Sequence, residues 1–107
     1  MFFHFCQAII SKIKKVGLKG LYSKNDEFKI LIQKIMLLAL VHPDHVISEY
    51  NLISNDLVES FGERFGSKLD EFLNYFQSTW CSENSRFPIR MWNHFKTLFR
   101  TNNFVES

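Results

Sequence analysis

The sequence predicts a single all-α domain of five to six helices, and three observations carry that prediction. Apolar residues recur at helical spacing in one stretch after another. No window alternates apolar and polar residues long enough to make a sheet. No repeat, low-complexity tract or flexible linker divides the chain, and 107 residues are enough for one core without staples.

At the start, Phe2 to Phe5 reads as a short aromatic strand. Phe5, Ala8, Ile9, Ile13 and Val16 then recur at helical spacing with lysines on the other side, and Gly17 and Gly20 stop that helix. The next helix begins near Asp26 and Glu27, acids well placed against the helix dipole. Its stripe is Phe28, Leu31, Ile32, Ile35, Leu38 and Ala39, the clearest buried face in the chain.

His42-Pro43 breaks this helix, and Pro43 suits the first turn of another carrying Val46, Ile47, Tyr50 and Ile53. Asn55-Asp56, with Glu59 three residues beyond Asp56, resembles a capping box for a separate short helix ending near Gly62 or Gly66. Ser67 then caps a helix with Leu69, Phe72, Leu73, Phe76 and Trp80 at period 3.6. Ser82 to Arg86 is a polar loop, and Ile89 to Leu98 gives a last helix with Trp92 and Phe95 inward. The stripes at 28–39 and 69–80 are expected to pack on each other.

Apolar content of 46% is ordinary, whereas twelve phenylalanines call for bulky packing. Two cysteines, Cys6 and Cys81, are too few for a disulfide framework, which points to a reduced intracellular compartment. In the apolar stretch Met1 to Ile10 the lysines follow rather than precede, the reverse of a signal peptide. The longest apolar run, Ile35 to Val41, falls far short of the ~20 residues that span a bilayer. No membrane partner is expected.

The net charge of +2 conceals a segregation. Residues 1–25 hold five lysines and no acid, residues 26–85 four bases against ten acids, and residues 86–107 four bases against Glu106. Such basic ends suit a phosphate-bearing partner if they meet in space; solvated helix faces are the plainer reading.

The C-terminal region carries the most specific pattern. Phe87-Pro88-Ile89-Arg90-Met91-Trp92-Asn93 is followed, after a spacer, by Arg100-Thr101-Asn102-Asn103-Phe104-Val105-Glu106. An R-T-N-N-x-x-E string after an aromatic W-N turn resembles the C-terminal catalytic region of Mutator-like (MULE) DNA transposases. Met1 to Ala8 is similar to the C-x-x-H-F-x-Q-A segment of that family, with Met1 where the cysteine is expected. The segments Lys15-Val16-Gly17-Leu18, Leu21-Tyr22, 28–41, His42-Pro43 with Val46-Ile47, and 72–80 resemble its helical insertion. The likeness covers nearly the whole chain. Its helical middle is weakly diagnostic, and the terminal string is the most specific part.

The resemblance implies three parts: residues 1–5 as a strand remnant of a ribonuclease-H-like core, 6–99 as the helical insertion, and 100–107 as the start of the catalytic glutamate segment. It implies that Glu106 is the third carboxylate of a D-D-E site and a ligand for Mg2+ or Mn2+ in a full-length parent. Arg100, Asn102 and Asn103 would be its substrate-facing setting, and Lys12, Lys14 and Lys15 contacts to the DNA backbone. The strands with the first two aspartates would lie upstream of Met1. The chain by itself is therefore expected to be a catalytically inactive fragment, without a cofactor, and nuclear. The other reading is a non-catalytic helical module that binds nucleic acid or protein.

The residues themselves add little chemistry. Two-metal phosphoryl transfer needs converging carboxylates, but Asp26, Asp44, Asp56 and Asp70 sit at expected helix starts or polar faces, where capping explains them. His4, Cys6, His42, His45, Cys81 and His94 lack the paired spacing of a zinc site, and Cys6 reads as core. No third group marks a Cys–His nucleophile. Trp80, Trp92, Phe95 and Phe99 have a base-stacking reading, but their helical spacing favours the core.

Overall fold

The computed structural model describes residues 2–96, which form five α-helices and, among the described residues, no strand. Helix α1 spans Phe2–Lys15 and turns Phe5, Ile9 and Ile13 into the core. The expected strand over Phe2–Phe5 is instead the first turn of this helix. The phase explains why. A strand would put Phe3 and Phe5 on one face, yet Phe3 is 68% exposed and Phe5 fully buried. The helical phase that leaves Phe3 exposed puts Phe5 in line with Ile9 and Ile13, all three buried.

Gly17, at φ +90°, ends α1 in the left-handed region. The N–H of Leu18 donates to the Ile13 carbonyl (2.9 Å) and that of Gly17 to the Lys14 carbonyl (3.1 Å), capping two free carbonyls of the last turn. Leu18 and Ile13 are both buried beside this cap. Gly20 is no stop: it lies inside α2, Lys19–Lys24. Asn25 closes α2 and opens α3, Asp26–Leu37, its side chain accepting the Phe28 N–H at 3.0 Å. The cap is thus one residue before the acids, which occupy the first turn.

The apolar stripe of α3 is buried as expected, and Leu38 and Ala39 extend it into a 3-10 turn, Leu38–Leu40. A second 3-10 turn, Pro43–His45, leads into α4, Val46–Phe76. His42 caps that turn, its Nδ1 accepting the Asp44 N–H at 3.1 Å.

Helix α4 is two arms. Phe65 leaves helical geometry (φ −119°, ψ 23°), and the chain reverses there. The Tyr50 hydroxyl donates to the Leu73 carbonyl at 3.2 Å, and the Tyr50 ring stacks on Phe76 at 4.9 Å. A straight helix would hold Tyr50 and Leu73 about 34 Å apart at 1.5 Å per residue. The break expected near Gly62 or Gly66 therefore exists, at Phe65. The separate helix start expected at Asn55-Asp56 does not: the first arm runs through both, and both are exposed. Ser67 is exposed in the first turn of the second arm.

Each apolar stripe has a partner that the sequence did not disclose. Helix α3 lies along the first arm, with Phe28 edge-on to Phe61 (5.3 Å) and the Ser60 hydroxyl donating to Glu27 (3.1 Å). Helix α1 lies along the second, with Phe5 against Phe76 and Lys12 over the Tyr75 ring. Leu31, Ile35, Phe72 and Phe76 are all buried in the one core.

A π-helical turn, Gln77–Cys81, continues α4 and buries Trp80. After the 82–88 loop, α5 spans only Ile89–Trp92. The helix expected over Ile89 to Leu98 is interrupted at Asn93, which turns extended (φ −83°, ψ 130°), and helical backbone resumes at Phe95 and Lys96. The Asn93 side-chain amide donates to the Leu38 (3.1 Å) and Val41 (2.7 Å) carbonyls. The His94 N–H donates to Ala39 at 2.6 Å. Carbonyls at and just beyond the end of α3 thus accept from a residue more than 50 positions away, which offsets the break in the helix. Phe95 is half-buried against His42 at 4.9 Å. Residues 97 and 98 lie outside the described part.

Candidate functional site

The fold divides the expected DNA-contacting residues into those that can be placed and those that cannot. Lys12, Lys14 and Lys15 occupy the last turn of α1, where a cation also offsets the negative end of the helix dipole. Lys12 is half-buried, its ammonium 5.0 Å from the centre of the Tyr75 ring. Lys14 and Lys15 are exposed, as are Lys19 and Lys24 on α2. The second arm of α4 adds Lys68, whose side chain lies over Gly17. Among the described residues none of these lysines pairs with a carboxylate. Arg100, Asn102, Asn103 and Glu106 lie outside the described residues, as does Phe99.

The basic C-terminal residues form a second group. Arg86 lies over the Phe87 ring at 5.5 Å, and Arg90 and Lys96 line a cleft of about 750 Å3 with Glu83, Asn84 and Pro88. Phe5, which meets this segment through Trp92, lies about 10 Å along α1 from Lys12, at 1.5 Å per residue.

The acidic residues do not converge on a single point. Asp26 and Asp44 occupy first turns, as expected. Asp56 and Asp70 are exposed within the arms of α4, so solvation rather than capping accounts for them. Among the described residues no three His, Cys, Asp or Glu side chains converge as a metal site would require. His42 and His45 are edge-to-face at 5.6 Å, with Nδ1 of His42 already engaged by the Asp44 amide.

Trp80 and Trp92 are buried, which leaves neither indole face free for a base. Cys6 is half-buried beside the core, and burial raises its pKa. Burial pushes the Cys81 thiol up to about 12, and burial, reinforced by Cys81, pushes the Tyr50 phenol to about 12 as well. Both remain protonated at neutral pH, so neither is an activated nucleophile or base.

One feature was not visible in the sequence. Ile47, Tyr50 and Asn51 of the first arm face Asn74, Gln77 and Ser78 beyond the reversal, and the space between is a broad cleft of about 850 Å3. Its polar lining is mostly neutral amide and hydroxyl, suited to hydrogen bonding rather than acid–base work. The polar residues at 74, 77 and 78 were plain enough. Their partners were hidden because they arrive only through the fold-back at Phe65.

No protein-family model, curated protein or solved structure matches this chain. Among the described residues no helix is long and apolar enough to cross a membrane.

Proposed function

We propose that this chain is a helical DNA-contacting unit of the Mutator-like transposase type, which holds the DNA backbone rather than cutting it. The observation that carries the reading is the run of exposed lysines without carboxylate partners from the end of α1 to the start of α2. Lys14 and Lys15 of α1 and Lys19 of α2 are exposed and pair with no carboxylate among the described residues, while the apolar face of α1 is committed to the core. Exposed ammonium groups on a rigid helix suit phosphates, and they read charge and spacing rather than base sequence. The resemblance of the terminal R-T-N-N-x-x-E string and of the W-N turn supplies the transposase part of the proposal. No strand-cleavage step is assigned to the described residues, whose carboxylates are dispersed.

Fluorescence anisotropy with a short duplex of arbitrary sequence tests the proposal. Binding should be equally strong for unrelated duplexes and should weaken steeply between about 50 and 200 mM salt through counterion release. Changing Lys14, Lys15 and Lys19 to Gln should flatten the slope of log K against log salt by about 2.7, at ~0.9 per phosphate contact. Gln is preferred to Glu because an acid at 14 or 15, in the last turn of α1, would also oppose the helix dipole. An unchanged slope in this triple variant, or no binding by the folded protein at low salt, sinks the proposal. Nicking of the duplex with Mg2+ or Mn2+ that the Glu106→Gln change removes would overturn the statement that the chain holds without cutting.

A further inference from the structure

We infer that the furrow between α3 and the first arm of α4 is a docking surface for a basic amphipathic helix of another protein. The two elements run antiparallel. Glu27 lies opposite Ser60 at one end, Lys34 opposite Asp56 in the middle, and Leu37 with Val41 opposite Leu52 with Glu49 at the other. Two clefts of about 530 and 340 Å3 share Lys34 and Asp56, so they lie end to end along one seam between the helices. From residue 27 to residue 41 it is about 20 Å long, the length of roughly four turns of helix.

Its walls are apolar beyond what the fold requires. Ile30 and Leu37 are each 51% exposed and Leu52 is 60% exposed, whereas Leu31, Leu38 and Ile53 between them are buried and form the floor. Ile30 and Leu37 are two turns apart on one wall with Leu52 on the other, a spacing that accepts side chains at i, i+3 or i+4, and i+7 of an incoming helix.

Charge selects the occupant. The furrow is lined by Glu27, Glu49 and Asp56 against the single ammonium of Lys34. Nucleic acid is repelled by such a surface. A second copy offering the same furrow would set carboxylates against carboxylates. The lysine-bearing α1 of a second copy cannot supply the apolar stripe, because Phe5, Ile9 and Ile13 are buried in its own core. What fits is a foreign helix with an apolar stripe flanked by Lys or Arg. This inference is independent of the DNA reading, which concerns the lysines of α1 and α2.

The test is amide chemical-shift mapping of the full chain at about 0.15 M salt. The probe is a synthetic helix of about four turns with a Leu stripe and Lys elsewhere. Two control peptides keep the pattern, one with Glu in place of Lys and one with Ser in place of Leu. The Leu/Lys helix should give saturable shifts confined to the furrow, and each control should bind at least about tenfold more weakly. Leu52→Ser, at an exposed position where the fold should persist by circular dichroism, should weaken the Leu/Lys helix by a similar factor. Equal binding of the Ser/Lys peptide would reduce the site to bare charge attraction and overturn the inference. So would shifts centred on Lys14 and Lys15, shifts that grow with protein concentration alone, or no saturable shifts in wild type.

Discussion

The Phe5 ring lies face to face on the Trp92 indole, with centroids 4.4 Å apart and planes 8° from parallel. This contact closes α1 onto α5. Around it Trp80 is edge-on to Phe5 at 5.0 Å, and the Trp92 Nε1–H donates to the Trp80 carbonyl at 2.8 Å. The abundance of phenylalanine thus has a structural use: a short α5 contributes one large side chain, and the aromatic cluster makes that one residue sufficient to anchor it.

Replacing Trp92 with Ala should cost ~3–5 kcal/mol, the range for deleting a large buried aromatic. Urea unfolding is the check, with the midpoint falling and the m-value unchanged. A double-mutant cycle on Phe5→Leu and Trp92→Leu should return a coupling of about 0.5–1.5 kcal/mol from the ring stack itself. A coupling near zero would mean that the two rings contribute only by burial.

Asn93 makes its contribution through two carbonyls. Asn93→Ala would leave the Leu38 and Val41 oxygens without this donor and should cost about 1–3 kcal/mol. Asn93→Asp should be worse than Asn93→Ala despite its closer shape, because it sets a carboxylate against two carbonyl oxygens. Reversal of that order in thermal unfolding would show that the side chain is held by shape rather than by donation.

Two glycines close together should respond with opposite sign. Gly17 has φ +90°, and a Cβ there would sit 3.3 Å from the Lys68 ammonium, so Gly17→Ala should cost roughly 1–2 kcal/mol. Gly20 is helical with open space around it, and Gly20→Ala should stabilise by about 0.4–1 kcal/mol. Denaturant midpoints of the two single variants decide the matter.

The contrast between these two glycines shows what was legible in the sequence. The stripes at 5–13, 28–39 and 69–80 could be read because each repeats large apolar residues at helical spacing, and the faces so marked are buried, although Ile30 and Leu37 lie exposed beside the second. The break at Phe65 was blurred by competing local signals, with Asn55-Asp56, Gly62, Gly66 and Ser67 all plausible boundaries. A long-range contact, Tyr50 on Phe76, distinguishes the true one. The early end of α5 was equally hidden, since its reason is a pair of hydrogen bonds spanning 55 and 52 residues. At the candidate interface the lysines were visible as charge, whereas the acidic furrow and the polar cleft exist only once α4 folds back or α3 lies down on it.

The alkaline limb of stability tests the burial of Tyr50 and Cys81. Both groups are neutral when folded, and burial raises each to about 12, from 10.0 for the phenol and 9.0 for the thiol. The unfolded chain therefore releases these protons first as pH rises, so the unfolded state binds fewer protons through that window and stability falls with pH. For Cys81 the loss should begin near pH 9 and run towards about 12; for Tyr50 it should begin near 10. Below pH 9 neither group should make stability depend on pH. Denaturant midpoints measured from pH 7 to 11 should be flat and then decline, with a shallower decline above pH 9 in Cys81→Ala than in the parent. If the two slopes coincide, the Cys81 thiol titrates alike in both states, and the cleft at the fold-back of α4 is open to water at that position.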